Sequence, residues 1–260
     1  MTRASDTARL LGAGGVINDD SNSVDFRIES NDDANMLFVD GSANAIGIRT
    51  STDYGGQLNI ETTGQAYNLV LACTDADANN GPLLDFYRNS SSPADNDLLG
   101  EVSFRGRNDN SQDVNYGLIS GTIIDASDGT EDGMLAISTM VAGTTRSRIK
   151  ITNDQTVINE DGIDLDFRVE GDSDINALFV QGSSNYTAIG TNSPSHPLHV
   201  ITSTDGSGLS GDDKFVAKFH NAEATDSRSY GVKIQAGSNS NDLALFVTDH
   251  DESNTLFYLF

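Results

Sequence analysis

The chain has 260 residues and a net charge of −24, from 39 acidic against 15 basic side chains. So acidic a surface repels nucleic-acid phosphates and anionic membranes, which argues against partners of either kind. Its 37% apolar content, without a tryptophan, is lean for a globular protein, yet the apolar residues fall in short regular strands rather than in a disordered pattern.

Residues 1–15, MTRASDTARLLGAGG, differ in composition from everything that follows. Ser5-Asp6-Thr7 caps at most one helical turn, through Leu11, and Gly12 ends it. A helix of that length is marginal by itself. The segment is expected to be a terminal peptide, either frayed or ordered on a partner through Leu10-Leu11, with Arg3 and Arg9 making it locally basic.

From Val16 to Ile60 runs a unit that recurs from Val157 to Val200. At an offset of 141, 14 of the 26 positions from Val16 to Gly41 are identical to their counterparts. The alignment then slips by two residues to bring Ala45-Ile46-Gly47 onto Ala188-Ile189-Gly190. That slip places Tyr186 in a two-residue insertion, exposed. Within the unit the period is two: Val24, Phe26 and Ile28 oppose Asp25, Arg27 and Glu29, and Leu165, Phe167 and Val169 oppose Asp166, Arg168 and Glu170. Turn-forming runs follow (Ser30–Asn35, Gly171–Asn176). Then come short strands apolar on both faces, Met36–Val39 and Ala177–Val180. A unit of ~45 residues cannot cover both faces of such a strand alone, so other units or other copies must do so. The alternative is two ordinary hairpins in a monomeric sandwich. Phe26 and Phe167 are expected to be buried alike, and so are Phe38 and Phe179.

Between the units, residues 61–156 predict six strands: Tyr67–Cys73, Pro82–Arg88, Leu98–Arg105, Val114–Ile124, Gly133–Val141 and Ser147–Thr152. Asp, Asn, Ser and Gly separate them, and six strands suffice for a small antiparallel sandwich. After Val200, residues 201–260 open with a Gly/Ser/Asp linker at Gly206–Asp213. Further strands are predicted at Phe215–Phe219, Tyr230–Gln235, Leu243–Val247 and Leu256–Phe260. The last is so apolar that it calls for cover, by assembly or by further chain. No heptad pattern or membrane-length apolar run of ~20 residues is present.

The ordered strings D-F-R-V-E, A-L-F-V-x-G, A-I-G-T, N-S-P and P-L-H-V resemble the stem repeats of tailed-phage fibre proteins, those of marine phages above all. The central GPLLDFYRNSSSPADNDLLGEVSFRGRNDNSQDVNYGLISG, ending in DGTEDGML, is similar to another module of the same proteins. The resemblance covers most of residues 16–235. It implies a homotrimer on the virion, anchored to a phage tail or capsid protein through residues 1–15 and meeting a host-cell receptor, a glycan or a protein. Longer relatives often carry an intramolecular chaperone of the endosialidase type, which no stretch here resembles. Synthesis in the host cytoplasm fits a lone cysteine, Cys73, and an N-terminus without the apolar core of a signal peptide.

The expected fold is thus all-β. It is an elongated homotrimeric fibre of short-strand repeats (a β-prism or triple β-spiral-like stem), with a small antiparallel sandwich-like module between the repeats. Its segments are 1–15, 16–60, 61–156, 157–200 and 201–260.

No constellation predicts chemistry. His196 and His199, three apart, would point to opposite faces of a strand and could not chelate one ion. Three copies of His199 on a trimer axis could, yet its counterpart Asn59 shows that the fold does not require it. His220 and His250 stand apart. Asp125, Asp128, Glu131 and Asp132 lack calcium-loop spacing and read as a turn. Asp75 and Asp77, and Asp249, Asp251 and Glu252, read likewise. Tyr54, Tyr87, Tyr116, Tyr186 and Tyr230 are candidate sugar-stacking rings that serve equally well as strand-end anchors. No catalytic, cofactor or metal residue is therefore expected. The function expected is a non-enzymatic fibre; the alternative is a tail-spike polysaccharide depolymerase, which needs two carboxylates about 5–10 Å apart across a cleft.

Overall fold

The computed structural model describes residues 21–78, 81–202, 216–217, 219, 232–235, 244–248 and 252–259. Among these every regular element is a strand and none is a helix. The chain divides into two compact units, residues 1–85 and 86–260. The predicted helical turn, the linker 206–213, Tyr230, His220 and His250 lie outside the described residues.

The first unit holds one four-stranded sheet: β1 (Phe26–Ile28), β2 (Leu37–Asp40), β3 (Ala45–Ile48) and β4 (Leu58–Ile60), hydrogen-bonded in that order. The first two pairings are antiparallel and the last is parallel. Among the described residues the second unit contains three sheets. One is a five-stranded antiparallel meander of β5 (Leu98–Arg107), β6 (Asp113–Asp125), β7 (Asp132–Val141), β8 (Thr144–Ile151) and β9 (Thr156–Ile158). The next is formed by β10 (Phe167–Val169), β11 (Leu178–Gln181), β12 (Tyr186–Ile189) and β13 (Leu198–Val200). The third is the antiparallel pair β14 (Leu245–Thr248) and β15 (Thr255–Leu259).

The sequence repeat is a structural repeat. Phe26 faces Val39 across β1 and β2, and Phe167 faces Val180 across β10 and β11. The Gly41 N–H donates to Asp25 Oδ1 at 3.1 Å and the Gly182 N–H to Asp166 Oδ1 at 3.0 Å. In the turns, Ser30 N–H donates to Asp33 O at 2.8 Å and Gly171 N–H to Asp174 O at 2.7 Å. The chain passes so close at Gly41 and Gly182 that an added Cβ would strike the backbone of Val24 or Leu165.

The two-residue slip is corrected. Asp40 faces Ala45 while Gln181 faces Tyr186, and Phe38 faces Gly47 while Phe179 faces Ala188. The offset of 141 therefore holds through β3 and β12. Asn44 and Asn185, both in left-handed conformation, turn the chain at matching places. Only the return strands shift by one, Asn59 in β4 matching His199 in β13. The matching turns at Asn44 and Asn185 set the register of the strands that follow. Tyr186 consequently lies half-buried on β12 rather than exposed in an insertion.

The sandwich expectation is also corrected. Residues 67–73 and 82–88 form no strand, and the meander is a single layer. Both segments alternate as strands do, but among the described residues no ladder partner meets their N–H and C=O groups. Tyr67 is 91% exposed and Leu83 75%. Phe86 nonetheless touches the meander, directly over Gly100, where a Cβ would lie 2.6 Å from its own. Of the strands predicted at Phe215–Phe219 and Tyr230–Gln235, the described residues are not in strands.

Little is buried. Among the described residues the buried apolar ones are Ala45, Ala136, Phe179 and Ala188. The meander shows why. Its register aligns Val102, Ile119, Ile137, Ile149 and Ile158 in one row across all five strands. Beside them runs Gly100, Gly121, Leu135, Ile151 and Thr156. The opposite face carries Glu101, Ser120, Ala136, Lys150 and Val157 in the intervening row. The sheet is amphipathic by strand alternation, and nothing described lies across most of its apolar side.

Candidate functional surfaces

The two repeats build the same groove from matched residues. In the first it measures about 560 Å³ and is lined by Val24, Phe26, Val39, Gly41 and Asn44 among others. In the second it measures about 270 Å³, with Leu165, Phe167, Val180, Gly182 and Asn185 at the same places. Both linings mix apolar with polar side chains, Asn22, Asp40 and Asn44 in the first and Asn159, Gln181 and Asn185 in the second.

A polar cluster distinguishes the first repeat. Arg49 Nε donates to Asp33 Oδ2 at 3.1 Å, and the Tyr54 hydroxyl donates to Glu61 Oε2 at 2.8 Å. The Asn35 N–H, then Arg49, holds the Asp33 carboxyl below its ordinary range. The Thr50 hydroxyl, then that of Tyr54, does the same for Glu61, which in turn raises the phenol of Tyr54. Asp40 is lowered by the Ser42 hydroxyl and the N–H groups of Ala43 and Ser42. Asp125 is lowered by Ser127, with Thr130 adding to it. All four carboxylates are thereby held ionised.

The acidic loop at Asp125 folds on itself, Ser127 N–H donating to Asp125 Oδ1 at 2.8 Å and the Thr130 hydroxyl to Oδ2 at 3.2 Å. Asp77 N–H likewise closes on Asp75 Oδ1 at 3.0 Å. Both are side-chain turns, as the sequence suggests. Among the described residues no group of three or more His, Cys, Asp or Glu could hold a metal ion.

The histidines are placed differently from expectation. His196 lies in the turn before β13, so strand alternation does not separate it from His199; their rings meet edge to face, 6.3 Å apart. Ser195 engages both, its Oγ 2.8 Å from His196 Nδ1 and its N–H donating to His199 Nδ1 at 3.4 Å. The counterpart in the first repeat is Tyr54 N–H donating to Asn59 Oδ1 at 3.2 Å. His199 thus closes a loop that Asn59 closes in the other copy. Of the tyrosines, Tyr87 is 77% exposed, while Tyr54 and Tyr116 are about half exposed. Cys73 is free and exposed.

The surface that the sequence did not single out is the apolar row of the meander. Alternation in Val102, Phe104, Leu135 and Ile137 marks each strand separately. The alignment of five β-branched residues into one patch depends on register, which a strand does not reveal alone. Comparison with protein-family models and with curated proteins finds no match.

Proposed function

We propose that the protein is a non-enzymatic structural component of a phage virion, a homotrimeric tail fibre that contributes to host recognition and adsorption. The observation that carries the trimer is the near absence of a core: three alanines and Phe179 are the buried apolar residues described. Ordering each residue costs about 1–2 kcal/mol, and burying a phenylalanine returns only about 1.5–3 kcal/mol. The strands are regular nonetheless, so their cover comes from other copies of the same chain. The phage assignment rests on the ordered strings of the repeats and the central module. Duplicated sheets joined by a module fit a fibre shaft, in which function resides in reach and surface rather than in a cleft. Attachment to a tail or capsid protein belongs to the N-terminal segment, and the receptor is a glycan or protein of the host surface.

The mass of the intact species, measured by light scattering at micromolar concentration without cross-linking, tests this. Three times 27.6 kDa is expected. A folded monomer would overturn the proposal. Release of reducing-end fragments from surface polysaccharide, abolished by one Asp or Glu substitution, would make the protein a depolymerase instead.

A further inference from the structure

We propose that copies of this chain pack on one another through one face of the meander, the face bearing Val102, Ile119, Ile137, Ile149 and Ile158. The inference rests on the assembly just described and names the contact that holds it. Three observations converge on it. The row and its neighbour, from Gly100 to Thr156, contain no charged residue. Copies that each carry −24 repel over most of their surface; a neutral apolar face is where that repulsion is weakest and desolvation gains most. The other face differs in kind. It displays Glu101 and Lys150, and the turn after β9 brings Glu160 Oε1 to 2.8 Å from Lys150 Nζ.

The second observation is exposure. Val102 is 39% exposed and Ile158 47% at the two ends of the row, and Ile119 is 37% and Leu135 45% exposed although both stand inside paired rows. β-branched residues in such a row are shaped to pack against another sheet about 10 Å away. The third is area. Five strands about 4.8 Å apart, of three to thirteen residues rising about 3.3 Å each, span on the order of 700 Å². A standard interface takes about 800 Å² from each partner. Because the patch is identical on every copy, a closed symmetric assembly satisfies all copies at once. Phe86, held over Gly100, lies on this side and extends the patch.

Single-cysteine labelling tests the contact. In a Cys73→Ser background, Ile119→Cys reports the apolar face and Glu101→Cys the opposite one. In the intact assembly, maleimide should react with Ile119→Cys about ten-fold more slowly than with Glu101→Cys, and equally after unfolding. Equal rates in a species that keeps its multiple mass would overturn the inference and leave the trimer standing. Protection in a species of 27.6 kDa would show that the chain covers its own face, and overturns it too. A second variant, Ile119→Asp with Ile137→Asp, should lower the mass to that of one chain, whereas Glu101→Gln should not. If the double variant fails to fold, the labelling rates still decide.

Discussion

Tyr186 stands in the second repeat where Ala45 stands in the first: each faces the last residue of the strand before it, Gln181 and Asp40. A ring and a methyl group thus occupy the same backbone position in two copies of one sheet. The left-handed turns at Asn44 and Asn185 and the ladders beyond them hold the position, and the side chains adapt.

The same register separates the two central phenylalanines. Phe38 faces Gly47 and is half-buried, whereas Phe179 faces Ala188 and is 4% exposed. The added methyl helps to cover the ring. Phe179→Ala should therefore cost about 3–5 kcal/mol, and Phe38→Ala at least about 1 kcal/mol less. Denaturant midpoints at matched concentration, with unchanged slopes, measure the difference. Equal losses would mean that assembly covers Phe38 as fully as the chain covers Phe179.

The close approaches at the matched glycines make a second pair. A Cβ on Gly182 would lie 2.4 Å from Leu165 N, and one on Gly41 2.7 Å from Val24 O. Both obstacles are backbone, so Gly182→Ala and Gly41→Ala should each lose about 1–3 kcal/mol, the former more. Gly64→Ala, with nothing within 4 Å of its added Cβ, should stay within about 0.5 kcal/mol of the parent. Thermal melts of the three variants give the ranking.

Acid should weaken the fold. Asp33, Asp40, Glu61 and Asp125 all titrate below their ordinary values, so in acid the unfolded chain binds more protons than the folded one. Their contribution is fully present above the unfolded values, about 3.9 for Asp and 4.3 for Glu, and is lost as pH falls through the folded ones. Stability should be level from pH 7 to about 5 and decline below that. Asp40→Asn should make the decline shallower. An unchanged profile would remove Asp40 from the explanation.

His199 makes a sharper test of the repeat. Its Nδ1 accepts from Ser195 N–H as Asn59 Oδ1 accepts from Tyr54 N–H. His199→Asn should retain stability, because the amide oxygen can take the same N–H. His199→Ala should lose about 0.5–1.5 kcal/mol. Urea titration of both variants against the parent chain compares them; equal losses would show that the ring packs rather than accepts.

Much was legible in the residues alone. Alternation marked β1, β10 and the long strands of the meander, because the side-chain period of a strand is local, and short runs apolar on both faces marked β2 and β11. The duplication was legible because identical turns need identical residues, such as Asp33 and Asp174, each closing on the N–H two residues on. Two decisions belonged to the tertiary structure. One was which alternating segments find a partner: residues 67–73 alternate as clearly as β5 does, but a ladder needs a second strand, and none among the described residues meets them. The other was register, which moved Tyr186 from an insertion onto a strand and lined up Val102 with Ile119, Ile137, Ile149 and Ile158. The turns between consecutive strands and the ladders they open fix that alignment, and a shift of one residue would have turned every one of those side chains to the opposite face.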